Sequence, residues 1–226
     1  MKKKNYKLPI LNLITGCMFA GKTAFLIKKI KRHLQSKQKV IVFKPKKVNF
    51  VSITKMKNKD FIPELEKKIV NNLYENDIVS HDSEKLPAIA VNDSKEILQI
   101  LKQKNEKFDV IAIDEAHFFN LELIEIVENL LDPKYGYIIW ICGLNKGFCE
   151  HNLKLMNELL SMADNIFKFN AVCDLCHENP ATKIQAVDQK GLPIEPEKIK
   201  NFVGGKEKYQ VRCRLCYKKF FWNRNK

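Results

Sequence analysis

The stretch that most constrains this chain is GCMFAGKT, residues Gly16 to Thr23. It fits G-x-x-x-x-G-K-[ST] and lies between the apolar run PILNLIT (9–15) and TAFLIKKIKRHL (23–34). In the second segment apolar residues recur at helical spacing beside a basic face. The order read here is a buried strand, a tight glycine turn and a helix. The glycines permit a turn whose backbone amides converge on phosphate oxygens, and the helix N-terminus adds partial positive charge. Lys22 would neutralise β/γ phosphates and the Thr23 hydroxyl would ligate Mg²⁺. The phosphate-binding candidates are therefore Gly16, Cys17, Met18, Phe19, Ala20, Gly21, Lys22 and Thr23.

FDVIAIDEAHFF (108–119) supplies the second part expected of such a site: an apolar strand, then Asp114 at its C-terminal end. An acid there would hold Mg²⁺ close to Thr23 on a neighbouring strand. Glu115 could act as a base, taking a proton from water or a hydroxyl. The letters Asp114, Glu115, Ala116 and His117 also spell the signature of a class of RNA helicases. A helicase needs two such domains of roughly 150–200 residues each. The 226 residues offer one core and a cysteine-bearing remainder, so a helicase is not expected.

Further apolar runs lie at 40–43, 78–80, 88–91, 110–113 and 137–142, with helical patterns at 94–104, 121–131 and 151–161. Continuous rather than alternating runs indicate strands covered on both faces, as in a parallel sheet. Strands alternating with helices make an α/β fold with an open sheet. Periodicity weakens near 163–170, which puts a core domain at 1–165 and a second unit at 166–226. The Lys- and Asn-rich stretch 46–72 has no clear place in the sheet. It reads as an insertion or mobile loop, with a helix at 63–75.

The net charge of +14 invites a nucleic-acid reading, and 28–68 alone holds 14 basic and 3 acidic residues. Lys, Asn and Ile are favoured throughout over Arg, Ala and Gly, which fits an AT-rich coding bias better than a binding surface. No nucleic-acid partner is expected. No apolar run approaches the roughly 20 residues that span a bilayer. The basic, then apolar N-terminus runs straight into the glycine motif without a cleavage site, so a cytoplasmic protein is expected.

Seven cysteines in such a chain argue for metal or isolated thiols rather than disulfides. Cys173, Cys176, Cys213 and Cys216 form two C-x-x-C pairs with 36 residues between them. That spacing fits a four-thiolate zinc site holding together a small lobe that could not bury its own core. With no open ligand position, the zinc is expected to be structural.

Together these residues resemble the zinc-bearing cytosolic thymidine kinases, with a P-loop (RecA-like) core and a small zinc-binding lasso domain. The matches are LITGCMFAGKTAFL, IVSHDSEKLPAIAV, VIAIDEAHFF, ICGLNKGF, NAVCDLCHENPATK and VGGKEKYQVRCRLCY. The resemblance implies an ATP:thymidine 5′-phosphotransferase of nucleotide salvage, with deoxyuridine as a further substrate, Mg²⁺ beside ATP, dTTP as feedback inhibitor and a homotetramer. It implies Glu115 as the catalytic base toward the nucleoside 5′-hydroxyl, with Lys22, Thr23 and Asp114 as the phosphate and Mg²⁺ group. Phe118 would stack on thymine, and Met18, Leu144 and Phe148 would wall the pocket. Phe202, Val203, Gly204, Gly205 and Tyr209 would surround the base, with Thr182 near the 5-methyl.

The sequence also departs from that family. An Asp and an Arg commonly follow Lys-Pro on the second strand, yet Lys44-Pro45 is followed by KKVNFVSI. His117 replaces a usual Gln, and Asn145 an Asp. An arginine facing transferring phosphates contributes several kcal/mol of charge stabilisation, by an order-of-magnitude reading of such donors. Two alternatives therefore stand beside the kinase: a catalytically weakened nucleotide-binding or regulatory homologue, and a zinc-containing nucleic-acid-binding module.

Overall fold

The computed structural model describes residues 7–46, 76–79, 85–104, 106–146, 153–194 and 205–217. Of the insertion expected at 46–72 only Lys46 is among them. The helix expected at 63–75 and the aromatic basic tail beyond Tyr217 lie outside them.

The main sheet contains β1 (Ile10–Gly16), β2 (Val40–Pro45), β3 (Asn76–Val79), β4 (Lys85–Val91), β5 (Val110–Ile113), β6 (Ile138–Leu144) and β7 (Asn165–Phe169). Its spatial order is β3-β4-β2-β5-β6-β1-β7. The helices are α1 (Lys22–Gln35), α2 (Lys95–Gln103), α3 (Glu122–Leu130) and α4 (Lys154–Met162). The continuous apolar runs are strands whose alternate residues serve two cores. Val40, Val42, Val110, Ala112 and Trp140 pack with Leu26, Ile27 and Ile30 of α1. Ile41, Phe43, Ile111, Ile113 and Ile141 pack with α2, α3 and α4 through Ile97, Leu123, Val127 and Leu159. Both faces are covered, which is why no polar alternation marks these strands.

Trp140 is buried although its indole N–H must donate. His33 of α1 accepts it through Nε2 at 3.0 Å. That leaves the His33 Nδ1–H to donate to Gln38 Oε1 at 2.6 Å, so the buried polar group is satisfied across the helix–sheet interface.

Two features depart from the sequence reading. The run at 78–80 was grouped with parallel strands, but β3 is antiparallel to β4, with Ile78 opposite Leu86. A short apolar run carries no signal of direction. Also, β7 lies across the expected 165/166 boundary and keeps residues through Phe169 in the main sheet. It is an edge strand with exposed and half-buried positions in turn, so it lacks the apolar run that reveals the others.

Beyond β7 the chain forms two small antiparallel sheets. One pairs β8 (Ala171–Val172) with β9 (Pro180–Ala181), the other β10 (Lys183–Ala186) with β11 (Tyr209–Arg212). Their core of Ala181, Ile184, Ala186, Tyr209, Val211 and three of the paired cysteines also contains Cys17, with Met18, Phe19, Ala20 and Leu144 packed against it. The small lobe thus rests on the glycine loop.

β7 runs parallel to β1 with Gly16 opposite Phe169. A Cβ at Gly16 would fall 2.2 Å from the Phe169 carbonyl oxygen. Overpacking of this kind costs about 3 kcal/mol. Gly16→Ala should therefore lower the Tm by about 6–12 °C, at roughly 2–4 °C per kcal/mol for a chain of this size. Scanning calorimetry reads this directly, and an unchanged Tm would contradict the β1–β7 register.

Candidate active site

The glycine loop joins β1 to α1. Gly21 takes a left-handed conformation (φ 76°) immediately before the helix, where a side chain would be strained. No side chain caps the first turn of α1. Its amides are therefore donors of the kind that bind phosphate. Lys22 is only 8% exposed and donates from Nζ to the Cys17 carbonyl at 2.7 Å. That fixes the ammonium over its own loop and leaves two of its three N–H donors for other acceptors. The Cys17 thiol donates to the Ala181 carbonyl at 3.1 Å, and burial raises its pKa, so it keeps the proton this bond needs. The loop is thereby tied to the small lobe.

Asp114 follows β5. The sequence reading put it on a strand neighbouring the glycine loop, but β6 intervenes between β5 and β1. The two parts still meet, because Thr23 on the first turn of α1 reaches across. Its Oγ1 donates to Asp114 Oδ2 at 3.3 Å, bringing together the residues expected to hold Mg²⁺. Asp114 Oδ1 accepts the Glu115 amide at 3.0 Å. Glu115 is left-handed (φ 51°, ψ 38°), a region that non-glycine residues visit at some cost. That turn, and the 3-10 turn Ala116–Phe118 after it, swings the chain so that the half-buried Glu115 lies beside the buried Asp114.

Burial sets the electrostatics. It pushes Asp114 up to about 7, with the neighbouring Glu115 charge adding to the shift and Lys22 opposing it. Burial raises Glu115 as well, again opposed by Lys22. His117 is driven down to about 3, first by burial and then by the Lys22 charge. Its ring is therefore neutral. The Leu144 amide donates to His117 Nδ1 at 3.3 Å, which puts the ring proton on Nε2. The 3.4 Å approach of Glu115 Oε2 to the same Nδ1 is consequently a contact with a neutral acceptor, not an ion pair. His117 pins the turn carrying Glu115 to the end of β6.

Phe118 is 47% exposed, and its ring lies 4.2 Å, centroid to centroid, from His117. Leu144 lies beside the loop, in register with Gly16. Met18, Leu144 and Tyr209 meet in the core shared by loop and lobe. Gly205 donates its amide to Glu207 Oε1 at 2.7 Å and accepts the Tyr209 amide at 3.0 Å. Thr182 Oγ1 and Asn145 Oδ1 are buried without a hydrogen-bond partner among the described residues. Phe148, Phe202, Val203 and Gly204 lie outside those residues. The Lys44 amine donates to the Asp77 carbonyl at 2.8 Å; sequence offers it only as one of the lysines over 44–59 that could substitute for the missing Arg, and gives no sign of the His117–Leu144 bond. The place of the first beside Asp114 comes from sheet order. The second joins segments 27 residues apart and carries no local signal.

In the lobe, one ligand atom from each of Cys173, Cys176, Cys213 and Cys216 falls within 4.8 Å of the others. All four are free thiols. The Cys216 amide donates to Cys213 Sγ at 3.4 Å and Asn179 Nδ2 to Cys176 Sγ at 3.6 Å. Backbone amides of Asn179 and Glu178 bring Cys176 down to about 6, while burial and the surrounding thiols push Cys216 up to about 12. Donors aimed at crowded sulfurs suit thiolates held around one cation, so the cluster can hold a metal ion such as zinc.

Residues 9–68 and 52–217 match the family model described as thymidine kinase. The chain belongs to the thymidine kinase family. It is 33% identical over 210 residues to a thymidine kinase of Mesoplasma florum, covering 92% of this chain and 90% of that one. To a thymidine kinase of Mycoplasma capricolum it is 34% identical over 213 residues, 93% and 90% of the two chains. The archaeal thymidine kinase of Thermococcus kodakarensis is 34% identical over 207 residues, with 90% and 91% coverage. Each of these relatives matches this thymidine kinase family chain over about nine-tenths of its length.

Two buried groups of the site pull stability in opposite directions as pH changes. Asp114 keeps its proton to about 7 when folded but loses it near 3.8 when unfolded. The folded state binds more protons in that window, so this contribution falls as pH rises. His117, neutral down to about 3 when folded, protonates near 6.5 when unfolded, so its contribution is lost as pH falls. Relative to wild type, Asp114→Asn should show a Tm rising more steeply between pH 4 and 6.5, and His117→Gln a Tm falling across the same range. Thermal melts in magnesium-free buffer test this, and three parallel profiles would contradict it.

Proposed function

We propose that the chain is an ATP:thymidine 5′-phosphotransferase, accepting deoxyuridine as well. The observation that carries this reading is the 3.3 Å contact of Thr23 with Asp114 beside a half-buried Glu115. It supports a reading in which the glycine loop, a cation-holding pair and a base act in one corner. The α1 amides and Lys22 hold the β- and γ-phosphates. Thr23 and Asp114 would hold Mg²⁺, which would supply positive charge against the phosphate oxygens. The carboxylate of Glu115 takes the proton of the nucleoside 5′-hydroxyl while that oxygen bonds the γ-phosphorus. The bond from γ-phosphorus to the bridging oxygen breaks, and ADP leaves with its electron pair. Phe118 offers a ring face for the base, and Met18, Leu144, Thr182, Gly205 and Tyr209, with Phe148, Phe202, Val203 and Gly204, make its surroundings.

The four-cysteine cluster holds structural Zn²⁺ in this reading. The same family reading gives a cytoplasmic homotetramer inhibited by dTTP. None of the described helices is long and apolar enough to cross a membrane.

Purified protein with ATP, Mg²⁺ and thymidine should yield thymidine monophosphate and ADP. Glu115→Gln should lower kcat by about 10²–10⁴, the usual contribution of a positioned base, with ATP affinity retained. Nucleotide binding without any product from wild type would instead favour a non-catalytic nucleotide-binding protein. Elemental analysis should find one zinc per chain. Because the lobe core contains Cys17, removing zinc should weaken ATP binding and not only thymidine binding. Calorimetric titration of ATP before and after metal extraction measures this, and unchanged affinity would refute the coupling.

A further inference from the structure

Lys44 belongs to none of the roles assigned above, yet the fold brings it to the same corner. On β2, Val40 and Val42 face α1 while Ile41 and Phe43 face the other way, so Lys44 follows the α1 side. On the adjacent β5, Val110 and Ala112 also face α1, and Asp114 continues that row. The Asp114 amide donates to the Phe43 carbonyl at 2.9 Å, which holds the two strand ends together. Thr23 reaches Asp114 on that side as well. Lys44 and Lys22 therefore approach from opposite flanks. Lys22 comes from β1, Lys44 from β2, with β5 and β6 between them. Three strand spacings of about 4.8 Å make a gap that two lysine side chains can close around a phosphate chain.

The chemistry of the ammonium fits such a role. Lys44 is half-buried, and its Nζ donates to the Asp77 main-chain carbonyl, a neutral partner. No carboxylate among the described residues lies within ion-pair distance of it. Burial lowers the Lys44 pKa, and the charges of Asp77 and then Asp114, both near enough to be felt, oppose it without outweighing it. With one carbonyl as its hydrogen-bond partner and no carboxylate in ion-pair contact, the half-buried ammonium keeps N–H donors for a further anionic acceptor. In phosphoryl transfer that charge lies on the equatorial oxygens of the moving group, where an added cation stabilises the transition state.

We propose that Lys44 is a second phosphate-facing cation of this site, donating to the γ-phosphoryl oxygens from the flank opposite Lys22. The proposal rests on the phosphotransferase reading for its acceptor but not for its ATP. Lys44 exchanges no proton: the hydroxyl proton goes to Glu115 and the electron pair leaves with ADP.

The competing role is structural, with Lys44 simply tying β3 to β2 through Asp77. Lys44→Met keeps length and removes charge, and Lys44→Arg keeps charge. Lys44→Met should lower kcat by about 10²-fold, the scale of losing one such donor, with little change in the KM for thymidine or in Tm. Lys44→Arg should recover most of the loss. In parallel, calorimetric titration with Mg²⁺ and either ADP or the non-hydrolysable adenosine 5′-(β,γ-imido)triphosphate needs no nucleoside acceptor. Lys44→Met should weaken the triphosphate analogue and spare ADP. Full turnover in Lys44→Met, loss tracking a fall in Tm, or equal weakening of both nucleotides would each overturn the proposal. A wild-type protein inert toward thymidine would sink the phosphotransferase reading alone, because the comparison of nucleotides still decides the role of Lys44.

Discussion

Two adjacent carboxylates, the buried Asp114 and the half-buried Glu115, lie beside one lysine, and the surrounding architecture answers that constraint. Interior carboxylates lose their hydration, and a like charge next door worsens the loss. Lys22 counters both, and it can do so because the glycine loop folds it back over the Cys17 carbonyl instead of letting it extend into water. The arrangement needs β1 and β5 within reach of each other across β6. It also needs α1 to start at the loop, so that Thr23 bridges the gap. A neutral His117 adds no further charge and holds the turn by accepting a backbone amide. Two carboxylates beside one lysine leave negative charge in excess, which a bound cation would balance.

The small lobe is part of this machinery rather than an appendage. Its core and the glycine loop share side chains, and the Cys17 thiol bonds a carbonyl between the two cysteine pairs. The lobe is thus coupled to the glycine loop through packing and one hydrogen bond. A lobe of this size buries too little apolar surface to stand by itself, so a metal-linked core is its natural support.

The sequence made the local parts legible. The glycine loop, the acid at a strand end and the paired cysteines are encoded within a few residues each, and the doubly covered strands announce themselves as continuous apolar runs. What it hid depends on partners far along the chain. Cys17 and Ala181 are 164 residues apart, and nothing near Cys17 signals a bond to another lobe. β7 escaped notice because an edge strand needs no apolar run, and β3 because a short run has no direction. Lys44 was visible as a residue, but its meaning needs β5 beside β2, a matter of sheet order that periodicity does not encode.

The left-handed backbone at Glu115 sets folding preference against chemistry at a single position. An L-residue there carries a conformational penalty of about 1–2 kcal/mol that glycine escapes. Selection for stability alone would therefore drift this position toward glycine, and the drifted protein would fold more readily with no carboxylate at its centre. On the proposed role of Glu115 as the base, libraries screened only for thermal tolerance would find inactive proteins here first.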